Sequence, residues 1–366
     1  MTAGRLNMTV AFRADASLSI GAGHIMRCLT LATELAARGA LCRFVCREHE
    51  GNLIERISAS GMQVSVLPAP GKYDNGSDLP TTWQDDAAET ISALSGQKVD
   101  WLVADHYGLP HEWESRMADQ CAKLMVIDDF TNRKHFCDVL LNQNLGTRET
   151  VYDGLIGTET RLLIGPSFAL LRPEFAKARD EKRRNPCPQR SGLKRILISM
   201  GGVDLPNVTG WMLERLQDCA AGDEWSMTVV IGGQSPHREN IRKTLSEMTI
   251  PNTLIVDATN MAELMADADL AIGAAGSTSW ERCCLGLPTV VAVIADNQES
   301  IARALVEAGA AVRVQFGDDQ GAGAVLRDVL DKPDRLAEMA KHAASIADGQ
   351  GAGRVCDVLI HDTLGG

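Results

Sequence analysis

His24 follows a Gly-x-Gly step, inside a segment that reads Arg13-Ala14-Asp15-Ala16-Ser17-Leu18-Ser19-Ile20-Gly21-Ala22-Gly23-His24-Ile25-Met26-Arg27. Gly21 and Gly23 let the backbone turn and approach a ligand with no Cβ in the way. The segment leaves a short apolar run at Met8–Phe12 and enters a helical pattern from about Ile25 to Arg38. His24 therefore falls at or beside a helix N-terminus. The positive end of the helix dipole disfavours imidazolium, so a neutral imidazole is expected there, the form a general base requires. Arg27 lies one turn further on, on roughly the same face. Asp15 is a candidate to orient His24 or an attacking water. Taken alone, the Gly-x-Gly step describes a tight loop equally well, with His24 capping or packing the turn.

The second half of the chain carries glycine-bearing loops at three strand ends. Ser199-Met200-Gly201-Gly202-Val203-Asp204 and Ile231-Gly232-Gly233-Gln234 each follow an apolar run and precede a helical pattern. Leu270-Ala271-Ile272-Gly273-Ala274-Ala275-Gly276-Ser277-Thr278-Ser279-Trp280-Glu281 combines a strand, a loop of small residues, hydroxyls at the cap position and a helix. Exposed amides at such a turn suit a diphosphate, so Gly201, Gly202, Gly276, Ser277 and Thr278 are candidate phosphate contacts. Glu281, in the first turn of that helix, is placed to accept hydrogen bonds from ribose hydroxyls. A well-capped helix with small residues for close packing explains the same letters.

Several other residues bear on the chemistry. His106 and Tyr107, at the end of a strand, are candidate sugar contacts, and a hydrogen-bonded loop histidine is the competing reading. Asp128 and Asp129 follow a strand and cap its loop on the plainest reading. Asp267-Ala268-Asp269 precedes a strand, at the edge away from the expected ligand, and reads as a solvated turn. His49, His111, His135 and His237 lie in polar surroundings and read as surface residues. The ten cysteines form no C-x-x-C pair and have no histidines at ligand spacing, which argues against zinc and disulfides. Cys28, Cys121, Cys219, Cys283 and Cys284 fall in helix-like segments, and Cys42 and Cys46 flank a strand-like one.

Positioning these groups requires strands that end where the loops begin. Short apolar runs alternate with longer amphipathic ones along the chain, the signature of βαβ units and parallel sheets covered on both faces. Strands are expected at 8–12, 41–46, 63–67, 101–104, 123–127, 139–142 and 161–164, with helices at 25–38, 52–60 and 82–94. The first helix should bury Leu29, Ala32, Leu35 and Ala36. Residues 172–195 are charged, contain prolines and lack a periodic apolar face, which marks a linker. The alternation then resumes from Ile196. The expected division is an N-terminal Rossmann-like domain at 8–175, a linker at 176–193, a C-terminal Rossmann-like domain at 194–345 and a C-terminal helix or tail at 346–366. Residues 1–7 read as an unstructured tail. Ligand would sit in a cleft between the halves, with a hinge near 173–193.

Composition narrows the function further. The 366 residues carry a net charge of −12, 4% aromatic residues and 33 glycines. No basic face tracks a phosphate backbone and few aromatics offer stacking, so nucleic acid is not an expected partner. No stretch approaches the ~18 apolar residues of a membrane span, and no signal-peptide core is present. A reduced cytoplasm is the expected compartment, and a monomer the expected state.

Two α/β halves, with a base in the first and phosphate-ready loops in the second, look like the GT-B architecture of sugar-nucleotide enzymes. The segment Arg13-x-Asp15-x-Ser17-x-x-Ile20-Gly21-x-Gly23-His24-x-x-Arg27 resembles the opening motif of the UDP-sugar hydrolases of pseudaminic acid biosynthesis. Asp105-His106-Tyr107-Gly108, Asp128-Asp129, Leu140-Leu141-Asn142-x-Asn144, Ser199-Met200-Gly201-Gly202-x-Asp204 and Asn297-Gln298-Glu299-Ser300 match in the same order. The similarity runs from about Met8 to about Gly309. It implies cleavage of UDP-2,4-diacetamido-2,4,6-trideoxy-β-L-altropyranose to UDP and the free sugar, with inversion and with neither metal nor other cofactor. It implies that His24 is the base and that Asn297, with Gln298 beside it, contacts substrate. A broader relation to the glycosyltransferase of the peptidoglycan lipid intermediate implies that Glu281 holds ribose and that Asn260 and Met261 face uracil. Two rivals stay open: a transferase in which His24 deprotonates an acceptor hydroxyl, and a UDP-sugar binding protein without catalysis.

Overall fold

Short strands and amphipathic helices alternate and assemble into two parallel sheets. The structure is a computed structural model that describes residues 8–69, 79–184, 195–219, 225–294 and 298–364. The first sheet is built from β1 (Thr9–Ala14), β2 (Leu41–Arg47), β3 (Gln63–Leu67), β4 (Val99–Asp105), β5 (Cys121–Ile127), β6 (Val139–Asn142) and β7 (Arg161–Ile164). Its helices are α1 (Gly23–Ala37), α2 (Ile54–Ala59), α3 (Trp83–Ala93) and α4 (His111–Met117), and α5 (Pro173–Arg184) follows β7 in the chain. The strand order is β3-β2-β1-β4-β5-β6-β7, and every pairing is parallel.

The second sheet contains β8 (Arg195–Ser199), β9 (Ser226–Ile231), β10 (Asn252–Val256), β11 (Leu270–Ala274), β12 (Thr289–Ala292) and β13 (Ala311–Val314). Its helices are α6 (Val208–Cys219), α7 (Arg238–Glu247), α8 (Met261–Asp267), α9 (Thr278–Cys284), α10 (Glu299–Glu307), α11 (Asp319–Leu330) and α12 (Pro333–Ile346), and the chain ends in α13 (Gly351–Leu364). The order β10-β9-β8-β11-β12-β13 is again wholly parallel. In each sheet the order reverses between two central strands, β1 and β4 in the first, β8 and β11 in the second. Loops at the carboxyl ends of such a pair diverge and leave room for a ligand.

Period-two alternation sorts the first sheet into two faces. Val10, Phe12 and Ala14 of β1 pack with Trp101 and Val103 of β4 against Ile25, Cys28, Leu31 and Leu35 of α1 and Val355 and Leu359 of α13. Ala11, Leu102, Ala104, Leu124 and Val126 line the other face with Ala87 of α3 and Trp113 and Met117 of α4. The second sheet has a comparable core, in which Ile196, Ile198, Val229, Ile231, Leu270 and Ile272 meet Met212 and Leu216 of α6, Ile241 of α7 and Leu326 of α11.

The chain divides into two units, Met1–Leu170 with Gln350–Gly366, and Leu171–Gly349. This differs from the expected boundaries at both ends of the second half. Residues 173–184, inside the stretch read as linker, form α5 and belong to the second unit. The helix was hidden because, beyond the single buried Phe175, its anchorage is polar: Arg179 donates to the carbonyls of Cys284 at 2.7 Å, Ala344 at 2.9 Å and Ala347 at 2.8 Å. The rest of the expected linker, 185–193, lies outside the described residues. The stretch expected as a C-terminal helix or tail, 346–366, contains the whole of α13, which returns to the first unit and packs on α1. There Trp101 Nε1 donates to Leu359 O at 3.1 Å and Thr363 Oγ1 at 2.8 Å.

Smaller differences have local causes. Ala36, expected on the buried face of α1, is exposed, and Ile25 and Cys28 take the inner positions instead. Cys121, expected in a helix, begins β5. The nine described cysteines are free, and no described helix is long and apolar enough to cross a membrane.

Candidate functional site

The carboxyl edge of the first sheet gathers a buried polar network on the α1 face. His24 lies in the first turn of α1 and is 6% exposed. Ala22 at the N-cap makes no side-chain cap bond; the entry loop is held instead by a bridge between Ser17 and Gly21, the latter at φ +80°. His24 Nδ1 lies 2.6 Å from Oδ1 of Asp105, the last residue of β4. Arg27 donates Nε to Asp105 Oδ2 at 2.6 Å, Nη2 to Asp105 Oδ1 at 2.7 Å and Nη1 to Asp129 Oδ2 at 2.7 Å. Burial opposes ionisation of Asp105, but Arg27 and His24 outweigh it and hold the carboxyl well below the usual range. An ionised Asp105 accepts, so Nδ1 carries the proton, and Nε2 of a neutral ring keeps its lone pair. His24 Nε2 makes no hydrogen bond to any described residue.

Tyr107 closes this network. Its ring meets the His24 ring edge-on at 4.5 Å between centroids, and its hydroxyl donates to Asp129 Oδ2 at 2.5 Å. Burial, reinforced by Asp129, pushes the phenol up. The imidazole is thus fixed by Asp105 on one nitrogen and by an aromatic wall, which is the arrangement of a positioned base.

The expectation that Asp15 orients His24 is corrected. Asp15 accepts from the Arg47 backbone N–H at 2.7 Å and pairs with Arg13 at 2.7 Å, while His49 and His106 Nε2 stand 3.5 and 3.4 Å from its other oxygen. Burial opposes its ionisation and is outweighed chiefly by Arg13. The reason lies in strand alternation. Ala14 and Asp105 are register partners that continue the α1-facing rows, whereas Arg13, Asp15 and His106 fall on the α3 side. Counting by twos from the apolar core residues was the signal that assigns Asp105 to His24. His106 is accordingly buried, its Nδ1 accepting from Gly108 N at 3.0 Å.

Two histidines read as surface residues are buried. His49 faces Asp15, and His135 lies between Glu114 and Asp128 at 2.8 Å from each. Asp128 and Asp129 do more than cap a loop, since Arg133 and His135 hold the first, and Arg27 and Tyr107 the second. His111 and His237 are partly exposed.

At the second sheet the glycine loops cluster on the carboxyl edge. Gly201, at φ +99°, and Gly202 open onto free space, and a Cβ on Gly232 would stand 2.1 Å from Gly202 O, so the loops after β8 and β9 touch backbone to backbone. Gly276 is equally open, with Gln298 Nε2 3.9 Å from where its Cβ would lie. Ser277 is exposed at the N-cap of α9 and makes no side-chain cap bond, and Thr278 is partly exposed. Glu281 pairs with Arg172 at 3.4 Å, and burial pushes its carboxyl up against the opposing pull of Arg172. Asn260 and Met261 begin α8, where Asn260 Nδ2 donates to Glu263 at 3.1 Å. Gln298 Oε1 accepts from Ile294 N at 3.1 Å, while Asn297 lies outside the described residues. Asp267 and Asp269 stand at the opposite edge, bonded to Arg195. Among the described residues no group of three or more His, Cys, Asp or Glu is arranged to hold a metal ion.

Two α/β units, each a parallel sheet with its polar loops at the order reversal, define the GT-B class of fold. MurG of Acinetobacter baumannii has this fold, with a TM-score of 0.70 and 16% identity over 96% of this chain and 99% of that one. CalG4, the calicheamicin glycosyltransferase, superposes with a TM-score of 0.59 at 17% identity over 98% of each chain. Residues 212–353 match the family described as Glycosyltransferase family 28 C-terminal domain. Among the proteins similar to most of this chain are two of note. One is the UDP-2,4-diacetamido-2,4,6-trideoxy-beta-L-altropyranose hydrolase of Campylobacter jejuni, 27% identical over 84% of this chain and 100% of that protein. The other is the spore coat polysaccharide biosynthesis protein SpsG of Bacillus subtilis, 26% identical over 96% of this chain and 98% of that protein.

Proposed function

We propose that this protein hydrolyses UDP-2,4-diacetamido-2,4,6-trideoxy-β-L-altropyranose to UDP and the free sugar, with inversion at the anomeric carbon. The observation that carries the reading is the His24–Asp105 contact of 2.6 Å, with Nε2 left without a hydrogen-bond partner among the described residues. Nε2 takes a proton from water as the water oxygen bonds to C1. The C1–O electron pair leaves with the β-phosphate of UDP. The leaving diphosphate is already a weak base, so no strong acid is needed, and base assistance supplies about 10²–10⁴-fold. Donors at the glycine loops, Gly201, Gly202, Gly276, Ser277 and Thr278, stabilise the departing charge. Glu281 takes the ribose, Met261 faces the base, and Gln298 with Asn297 meets the sugar. Gly21 and Gly23 shape the loop beside His24, Arg27 holds Asp105, and Tyr107 borders the sugar.

The test is turnover of the UDP-sugar in ¹⁸O-water without acceptor, followed by NMR, for the native protein and His24→Ala. The label should enter the sugar at C1, and His24→Ala should keep binding while losing most turnover. Label in UDP means attack at phosphorus and refutes the mechanism. The match to the glycosyltransferase family supports a second reading, transfer to an acceptor hydroxyl. On that reading little UDP forms until an acceptor is added.

A further inference from the structure

Arg282 is a buried cation to which no carboxylate pairs among the described residues. It is 3% exposed on α9, donates Nη2 to Ala274 O at 2.6 Å and Ser279 Oγ at 2.9 Å, and leaves Nε without a partner. The adjoining carboxylate, Glu281, attracts Arg282 through space but makes its ion pair with Arg172. Arg13, Arg27 and Arg47, the other deeply buried arginines among the described residues, each pair with carboxylates at 2.6–2.7 Å. Removing an ion from water is unfavourable unless an opposite charge compensates. Burial pushes the guanidinium down to about 10, which still leaves it charged at neutral pH.

Its position identifies where that compensation enters. A Cβ on Gly273 would stand 2.1 Å from Arg282 Nη1 and 2.7 Å from Ser199 O, so the guanidinium lies directly against the end of β11. Gly273 is the register partner of Ser199, the last residue of β8. The charge therefore sits at the order reversal of the second sheet, behind the loops that carry Gly201, Gly202, Gly276 and Ser277.

We propose that the missing counter-charge is the ligand's own: Arg282 is a positioning residue whose buried positive charge sets the preference of these loops for a nucleoside diphosphate over less charged nucleotides. The assignment rests on the reading that the loops hold UDP, and it adds a source of charge selectivity that open glycines lack. Screening is weak for a buried charge, so its field reaches the loop amides largely intact.

Calorimetric titration of the full chain with UDP, UMP and uridine tests it, using the native protein, Arg282→Met and Arg282→Lys. For Arg282→Met the affinity for UDP should fall at least tenfold, that for UMP less, and that for uridine less than twofold. Arg282→Lys keeps the charge and should retain the native order UDP, UMP, uridine. Equal weakening of all three ligands by Arg282→Met, or loss of the order in Arg282→Lys, means a merely structural role and overturns the proposal. A native protein that binds none of the three overturns the reading of the loops and this assignment with it. Native binding that survives in Arg282→Met overturns the assignment alone.

Discussion

Replacing Asp105 by Asn removes one charge and reverses one hydrogen bond at the centre of the network. In the native protein Oδ1 faces both His24 Nδ1, at 2.6 Å, and Arg27 Nη2, at 2.7 Å, while Oδ2 accepts from Arg27 Nε at 2.6 Å. An amide has one oxygen and one NH₂ group. With the NH₂ group at the Oδ1 position it opposes Arg27 Nη2, and Nδ1 must accept, which moves the proton to Nε2. With the NH₂ group at the Oδ2 position it opposes Arg27 Nε alone, while the amide oxygen still accepts from His24 Nδ1 and Arg27 Nη2. The second arrangement is favoured because it keeps two of the three bonds; the ring keeps its tautomer but loses the anion that stabilises the imidazolium formed when Nε2 takes the proton. The kcat for UDP release should then fall by the general-base contribution, about 10²–10⁴-fold, or about 3–5 kcal/mol in the barrier. KM should move only a few fold, because no proposed contact with the nucleotide changes. Because both changes remove one function, His24→Ala with Asp105→Asn should be no slower than His24→Ala alone. Steady-state UDP release by the three variants, with circular dichroism to show folding, decides the matter. An Asp105→Asn enzyme within threefold of native kcat, or additive effects in the double variant, refutes the reasoning.

Two further outcomes follow from the buried network and the returning helix. His135 is opposed by burial but raised by Asp128 and Glu114 to about 9, above its unfolded value of about 6.5, so its contribution is complete below pH 6.5 and disappears as pH rises through 9. The difference amounts to about 3 kcal/mol; urea midpoints at pH 6 and 9.5 should show a loss that His135→Gln greatly reduces, and equal losses in both proteins refute it. Leu359→Ala in α13 should destabilise the first unit by about 2–5 kcal/mol, because Leu359 is fully buried against it. Hydrogen exchange should rise in residues 8–170 and stay unchanged in 195–349, and a uniform rise contradicts the division into units.

Much of the frame was written in local patterns. The strands Gln63–Leu67, Val139–Asn142 and Arg161–Ile164 fall where the alternation puts them, because a short apolar run between turn residues has few alternatives. Helices with weak apolar faces were harder to see. His111–Met117 is a single short element, and Pro173–Arg184 is held by arginine–carbonyl bonds that no periodicity reports. The buried state of His49 and His135 was hidden for a related reason. Both are surrounded by polar residues in sequence, yet each is buried against carboxylates from other segments, Asp15 for His49 and Glu114 and Asp128 for His135.

The chain alone determined that glycine-flanked His24 opens a helix, that small-residue loops close three later strands, and that the whole alternates as two α/β halves. Those are properties of neighbours along the backbone, where spacing is fixed by covalent geometry. Which carboxylate meets His24 was decided only when β4 came to lie beside β1 and matched Ala14 with Asp105, 81 residues away from the histidine. Asp15 is nearer in sequence but points to the other side of the pleat, and pairing across a sheet depends on which side a residue faces. The charge of Arg282, without an ion pair among the described residues, belongs to the same class, since its burial exists only once packing has excluded water from around it.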